Sequence, residues 1–232
     1  MPETGLSRSP KVQKGALVQL VESLAGIPTP NIVPFQYNPS TLKRQLKPWN
    51  PLEVDQTMRG LSAPTAQPFD PEESISLDIE FDASDQLEED DPIANQFGVS
   101  DRIAALEKML FPADTPVGAL LTAAAGVLGI GQPPKRPTVP VTLFVWGVGR
   151  ILPVRITSYA IEEQLFSPRL YPVQARVSLA LEVLTPDRFK CQSGPTISIA
   201  ISAYQLYRRQ QDGLAASQSA RSVELARSFK PF

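Results

Sequence analysis

Two pairs of closely spaced carboxylates are the residues of this chain whose types could do chemistry. Asp78 and Glu80 lie two residues apart, and Glu162 and Glu163 are neighbours. A carboxylate pair can act as general acid and base, or can hold Mg²⁺ or Ca²⁺. Residues two apart on an alternating strand share one face, however, so we expect Asp78 and Glu80 on a solvated polar face. A carboxylate-dependent hydrolase is therefore a minor alternative.

Other catalytic parts are scarce. The 232 residues include no histidine and one cysteine, Cys191, which removes the commonest general base and rules out an intrachain disulfide. The formal net charge of -2 gives no field that would attract a phosphate backbone or an anionic membrane. We expect no catalytic residue, no cofactor, no metal and no nucleic-acid partner.

The N-terminal sequence MPETGLSRSPKVQKG has no apolar segment of the kind found in secretory signals, so we expect synthesis and assembly in the cytoplasm. The apolar run at 117–130 is shorter than the roughly 20 residues that cross a bilayer, so no direct membrane span is expected. This run is predicted to pack against protein as a helix, with an apolar flap as the alternative. The acidic run at 85–92 lacks the glycine and ligand spacing of a calcium loop and is predicted to be a solvated linker.

Alternation of apolar and polar residues, together with proline-rich connections, predicts a chain made mostly of strands. Strands are predicted at 15–22, 32–39, 74–82, 139–150, 150–166 and 173–184. The last two form a hairpin, and the preceding reversal uses positive φ at Gly147 and Gly149. A helix is predicted at 100–111, capped by Ser100 or Asp101, and a strand that becomes a helix at 197–209.

These elements predict one large domain with two irregular insertions. The predicted divisions are a flexible N-terminus at 1–11, a β-domain at 12–190 containing a proline-rich loop at 47–73 and an apolar insertion at 117–138, and a C-terminal extension at 191–232 with a partly mobile tail.

The order of several short motifs carries a family resemblance. PFQYNPSTLKR is followed by a proline-rich link with a glycine, SISLDIEFD, the helix IAALEKML, VTLFVWG, and then QLFSPRLYPVQARVSLALEV. Over about residues 12–185 this order resembles the contractile injection system tube family, in particular the tube-like domain of the baseplate hub adaptor, a relative of phage tail-tube initiators. Members often carry a LysM domain afterwards, but the C-terminal region here has no G-D-T-L signature.

The resemblance implies a mainly β fold of two antiparallel sheets packed as a barrel-like sandwich, with one flanking helix and a partly helical C-terminal tail. It also implies a homo-hexameric ring around a channel. Such a ring would let each exposed sheet edge pair with the next subunit.

The implied function is structural and non-enzymatic. The ring would belong to the baseplate hub and inner tube of a phage tail-like particle, join the trimeric spike to the inner tube or a tube-initiator ring, and initiate tube assembly, with baseplate wedge and sheath components nearby. The particle could be free in the cytoplasm, attached to a membrane or released. Two alternatives stay open: the main inner tube subunit of the same particle, and a monomeric β-sandwich binding module.

Ten residues are candidates for the ring interface under this resemblance. They are Phe35, Tyr37, Asn38, Pro39, Lys43, Arg44, Trp146, Gly147, Phe166 and Tyr171. Phe35 and Tyr37 would anchor the first sheet to the core or to the neighbour, and Asn38 would fix the reversal together with Pro39. The simpler alternative is that Phe35 and Trp146 are core residues and that the basic side chains are merely solvated.

Overall fold

The computed structural model describes residues 13–22, 28–50, 69–112, 139–190 and 192–226. The apolar run at 117–130, the rest of the insertion at 117–138, the N-terminus at 1–11, the middle of the loop at 47–73 and Cys191 lie outside the described residues.

Seven strands form one antiparallel sheet in the described part of the chain. They are β1 (Ala16–Glu22), β2 (Pro28–Pro34), β3 (Leu42–Lys47), β4 (Glu72–Asp82), β5 (Val141–Val145), β6 (Ile151–Phe166) and β7 (Pro172–Val183). Their order in the sheet is β2-β1-β5-β6-β7-β4-β3. The predicted mainly β class is confirmed, whereas a second sheet is not seen among these residues.

The alternation predicted for β4 and β7 is confirmed. On β4 the buried apolar positions are Ile75, Leu77, Ile79 and Phe81, and the residues between them are exposed. The neighbouring strand β7 buries Ala175, Val177, Leu179 and Leu181 in the same way. Each large apolar side chain buried here contributes about 1.5–3 kcal/mol to folding. These two strands therefore form the inner wall of the core.

One long strand, β6, connects the two parts of the sheet. Its first residues pair with β5 up to Val154, and the strand then continues to Phe166 paired only with β7. A register shift lies between Ile156 and Ser158, close to where β5 stops. Strands on both sides of β6 contribute to one hydrophobic core, because Leu17 and Phe144 cluster with the buried residues of β4 and β7.

The segment 35–41 shows that the sheet curves strongly. It joins β2 to β3, which are the two edge strands of the sheet. The backbone N–H of Phe35 donates to the carbonyl of Gly15, just before β1, at 2.8 Å. The next residue, Gln36, donates from Nε2 to the carbonyl of Asp82 at the end of β4, at 2.7 Å. Consecutive residues thus contact strands that are separated by three others in the sheet order.

Three short helices follow β4 in the described stretch 83–112. They are α1 (Ser84–Glu88), α2 (Pro92–Phe97) and α3 (Ser100–Lys108). The acidic run predicted to be a linker therefore contains helical turns, and Asp91 caps α2 by accepting from the N–H groups of Ile93 and Ala94. The predicted helix α3 is confirmed, although its N-cap is Val99, which makes no side-chain cap.

The predicted strand at the start of 197–209 is wrong. After a 3₁₀ turn at Pro186–Phe189, helix α4 runs from Pro195 to Ala226. Polar and apolar residues alternate in the stretch ISIAISA as they would in a strand. The buried apolar residues of α4 nevertheless follow helical spacing: Ile197, Ala200, Tyr204 and Tyr207. Burial of Tyr204 and Tyr207 on the same side as Ile197 and Ala200 therefore favours a helix over a strand in this segment.

We predict that Gly15→Ala destabilises the fold. A Cβ atom at this position would lie 2.7 Å from Cδ2 of Phe35 and 2.8 Å from Cε3 of Trp146. Because both rings are held in a packed cluster, the loss should be about 1–3 kcal/mol in the free energy of unfolding, measured by urea denaturation.

The matched control for this change is Gly213→Ala on α4. No atom of the described residues lies within 4 Å of a Cβ atom built there, and alanine is the better helix former. This variant should lose no stability. A Gly15→Ala protein as stable as the wild type would contradict the packing argument.

Candidate subunit interface

The outer surface of β3, β4, β7 and β6 is uniformly polar. Directly paired residues of neighbouring strands point to the same side of a sheet, so the strand registers define this surface. We call it the polar face. Its members are Lys43, Gln45, Lys47, Glu72, Ser74, Ser76, Asp78, Glu80, Asp82, Arg155, Ser158, Ala160, Glu162, Gln164, Gln174, Arg176, Ser178, Ala180 and Glu182.

Up to the tip of the β6–β7 hairpin, where Phe166 pairs with Pro172, no apolar side chain larger than alanine belongs to the polar face. Its ionisable members are four cations and six carboxylates, a net charge of -2. Asp78 accepts from Nη2 of Arg176 at 2.8 Å and from the hydroxyl of Ser178 at 2.7 Å. The hydrogen bond from Ser178, followed by that from Arg176, lowers the pKa of Asp78 below its usual value. The predicted solvated position of Asp78 and Glu80 is confirmed, since both are exposed on this face.

The polar face ends laterally in two strand edges. From Arg155 to Phe166, β6 pairs only with β7, and no other strand of the described residues lies against its outer side. On the opposite margin, β4 is the one strand of the described residues that pairs with β3. Each edge presents a row of backbone N–H and C=O groups that a further strand could pair with. The β6 edge carries no proline over this length.

The other sheet margin differs in this respect. The outer strand β2 pairs with β1 alone among the strands that the structure describes, and it carries Pro28, Pro30 and Pro34. Proline lacks the N–H that a ladder needs, so this edge is protected against addition of another strand. The edges of the polar face are therefore the better candidates for contact with another chain.

The two candidate edges carry opposite charge. Glu162 and Glu163 are exposed on β6, and Lys43 and Lys47 are exposed on β3. Arg44, also on β3, is engaged inside the chain: its guanidinium bonds to both carboxylate oxygens of Glu73, with Nη2 at 3.2 Å from Oε2. Of the predicted basic interface residues, Lys43 thus faces solvent while Arg44 has a structural partner.

Arg44 also helps to hold α4 on the sheet. Its Cζ atom lies 5.6 Å from the ring centre of Tyr207, which is a favourable cation–π distance. One turn earlier on α4, the hydroxyl of Tyr204 donates to Oδ2 of Asp70 at 2.9 Å. The predicted interface residue Arg44 therefore contributes to docking of the helix.

Phe35 and Trp146 belong to an aromatic cluster with Phe144. The ring centres of Phe35 lie 6.4 Å from Phe144 and 6.3 Å from Trp146, and Phe144 stacks on Trp146 at 5.8 Å. Phe35 is fully buried, so of the two predicted roles it takes the core role. Gly147 has φ of +80° in the turn between β5 and β6, and Gly149 has +81°, which confirms the predicted positive-φ reversal.

The F-x-Y-N-P motif fastens the chain to the beginning of β1. Asn38 accepts at Oδ1 from the N–H of Gly15 at 2.8 Å and donates from Nδ2 to the carbonyl of Gln13 at 2.7 Å. The oxygen and the nitrogen of the Asn38 side-chain amide are thus both hydrogen-bonded within the chain. Tyr37 is about half exposed and, with Pro39, borders a groove of about 210 Å³ beside Arg176.

Phe166 and Tyr171 lie at the tip of the β6–β7 hairpin. Phe166 is 53% exposed, and the Tyr171 ring meets Phe97 edge-to-face at 5.4 Å. The sequence predictions missed Leu165 and Leu170, which are 63% and 79% exposed. Both hold positive φ, +50° and +64°, which strains a leucine. The tip therefore presents exposed apolar side chains, two of them on residues with strained backbone conformations.

Comparison with known proteins leaves the family resemblance resting on motif order alone. No protein-family profile matches the chain, and no curated protein matches it. Within the described ranges, no group of three or more Cys, Asp or Glu side chains is arranged to hold a metal ion. No helix in the described residues is long and apolar enough to span a membrane.

We predict that Asn38→Asp is destabilising. The substitution replaces the donor that faces the Gln13 carbonyl by an acceptor, and so loses one hydrogen bond and opposes two oxygens. The expected cost is about 1–3 kcal/mol, measured by urea unfolding at neutral pH. Asn95→Asp on the exposed side of α2 is the control and should have little effect. Equal stability of the two variants would show that the Asn38 clamp is unimportant.

Alkaline pH should weaken the fold through buried tyrosines. Burial, with the charges of Glu107 and Glu163, raises the pKa of Tyr159 from 10.0 to about 12. Burial also raises the pKa values of Tyr204 and Tyr207. The folded state then retains protons that the unfolded state releases, so the free energy of unfolding should fall as the pH rises from 10 towards 12.

The measurement is urea unfolding across this pH range, with phenolate absorbance followed in parallel. Tyr159→Phe should reduce the pH dependence without a cost at neutral pH, because no group of the described residues hydrogen-bonds to the buried Tyr159 hydroxyl. Tyr37→Phe, at an exposed position, is the control. A Tyr159→Phe protein with an unchanged pH dependence would contradict the assignment.

Proposed function

We propose that this chain is a structural, non-enzymatic ring subunit of a contractile injection system. In this proposal it acts as the baseplate hub adaptor that joins a trimeric spike to the inner tube and initiates tube assembly. One observation carries the proposal: a four-strand polar face is bounded on both sides by strand edges of opposite charge, and no further strand of the described residues pairs with either edge. The ordered motifs that resemble the tube family add independent support.

A polar face of this extent suits the wall of a water-filled channel. Its inner side supplies the core through β4 and β7, while its outer side offers no large apolar group to bury against a partner. Antiparallel sheets commonly keep one face packed and one face in water. In the proposed hexamer the polar faces of all copies face the channel.

Closure of the ring would use the two edges of the polar face. The β6 edge of one copy would pair with the β3 edge of the next, which is a heterologous contact that closes when the rotation per subunit fits a ring. Glu162 and Lys43 lie at these edges and would attract one another across the contact. The strongly curved sheet would then form the barrel-like sandwich that the resemblance implies.

The two ends of the polar face differ in chemistry, which favours an adaptor over the main tube subunit. The hairpin tip presents Leu165, Phe166 and Leu170. The opposite end, where β4 begins and β7 finishes, carries the ion pairs of Arg188 with Glu72 and Glu182. A subunit that stacks on itself needs ends that match each other. Unlike ends fit unlike neighbours, such as a spike on one side and a tube ring on the other.

A monomeric β-sandwich module is the remaining alternative. In such a module the backbone groups at the β6 edge would be hydrogen-bonded to water, and the chain would stay monomeric when spike or tube proteins are added. Light scattering and mass measurement of the chain with these partners separate the two. A hexamer, alone or with partners, supports the proposal, and a persistent monomer contradicts it.

We predict that Lys43→Glu weakens ring assembly and that a second change, Glu162→Lys, partly restores it. The single variant places like charges at the proposed contact, which should lower the association constant roughly three- to tenfold at low salt. The double variant restores attraction with the charges exchanged. Analytical ultracentrifugation at low and high salt measures both effects.

The control for this experiment is Lys108→Glu, which makes the same charge reversal at the end of α3 instead of on a strand of the polar face. This variant should assemble as the wild type does. If Lys43→Glu and Lys108→Glu behave alike, or if the second change gives no recovery, the proposed pairing of β6 with β3 is wrong.

A further inference from the structure

A cavity of about 480 Å³ lies at the end of β3, β4 and β7, opposite the hairpin tip. Its volume falls in the range of about 300–1,000 Å³ that is typical of ligand pockets. One part of its lining is the end of β3 with the residues after it, 47–50. The rest comes from Phe69, Asp70 and Glu72 at the start of β4, and from the end of β7 with the following 3₁₀ turn. Neither the predicted interface residues nor the ring proposal assigns a role to it.

Two aromatic rings form one wall of the cavity. Trp49 and Phe69 meet edge-to-face with ring centres 6.5 Å apart and an angle of 72°. Both residues line the cavity, and Phe69 is 51% exposed. Indole is the aromatic group that attracts cations most strongly over its face. This wall therefore suits an apolar or cationic group.

The charges around the cavity favour a cation. Four carboxylates line it, those of Asp70, Glu72, Glu182 and Asp187. Three cations, Lys47, Arg188 and Lys190, line it as well, so the net charge of the lining is -1.

The ion pairs within the lining leave carboxylate capacity for a ligand. Nη2 of Arg188 lies 3.3 Å from Oε1 of Glu72 and 3.5 Å from Oε1 of Glu182. One guanidinium is thus shared between two carboxylates at distances longer than those of a strong charge-assisted bond. Both carboxylates retain their second oxygen for a further donor, whereas Lys190 is closely paired with Asp187 at 2.7 Å.

We propose that this cavity binds the guanidinium or ammonium group of a basic side chain from a partner polypeptide. The cation stacks on the Trp49 ring and is bonded by the second oxygens of Glu72 and Glu182. The long stem of an arginine or lysine lies along Phe69. This proposal stands on the cavity alone, and it holds whether or not the chain forms a ring.

The test is titration of the full chain with N-acetyl-arginine N-methylamide at constant ionic strength, followed by ¹H–¹⁵N spectra. The chain has two tryptophans, so two indole N–H signals are expected, and Trp49→Phe assigns them. Saturable movement of the Trp49 signal, with the Trp146 signal fixed, is the expected result. No saturable shift with arginine overturns the proposal, as does an equal response to N-acetyl-glutamate N-methylamide.

Two variants give effects of opposite sign. Trp49→Leu should weaken binding about three- to tenfold, read from backbone amide signals of residues 183–188. Arg188→Gln should tighten it about twofold or more, because it removes the internal competitor for Glu72 and Glu182. Arg176→Gln, on the polar face away from the cavity, is the control and should change nothing. If Arg188→Gln weakens binding of the arginine probe, Arg188 does not compete with the ligand for Glu72 and Glu182, and the proposal fails.

Discussion

The long strand β6 is the constraint on which the rest of the structure depends. It begins as the partner of β5 and continues as the partner of β7 alone, with a register shift at Ile156/Ser158. Because one strand serves both parts of the sheet, the side chains of β1 and β5 reach the same core as those of β4 and β7. In the described part of the chain, the same continuation leaves the backbone of β6 beyond Val154 without a strand on its outer side. The length of β6 thus accounts both for the shared core and for the candidate interface edge.

The residues that looked most distinctive in the sequence serve mainly inside the chain. Asn38 is clamped onto the backbone before β1, Phe35 is fully buried, and Arg44 is bonded to Glu73. A motif of aromatic, Asn and Pro residues identifies a turn, but the sequence does not say whether the turn contacts its own chain or a neighbour. The candidate interface consists instead of strand edges and the polar face. Their side chains are ordinary serines, glutamines and charges.

Local periodicity predicted most strands, the β6–β7 hairpin and α3, since each of these has an unambiguous repeat of buried positions. Local periodicity gave the wrong prediction at the start of α4, because isoleucine and small residues alternate there. The helical spacing becomes evident at Tyr204 and Tyr207. The edges of the sheet were not predictable in this way, because the order of strands depends on pairing between distant residues. Strained Leu165 and Leu170 gave no signal, since leucine in a turn sequence does not indicate positive φ.

The measurement that tests the central claim most directly is electron cryo-microscopy of the chain assembled with its partners, at a resolution that separates strands. The account predicts that the outer backbone of β6 beyond Val154 is hydrogen-bonded to β3 of an identical neighbour, with Asp78 and Arg176 facing a central channel. A map in which this edge of β6 is covered by the same chain, or faces water in a single copy, would contradict it.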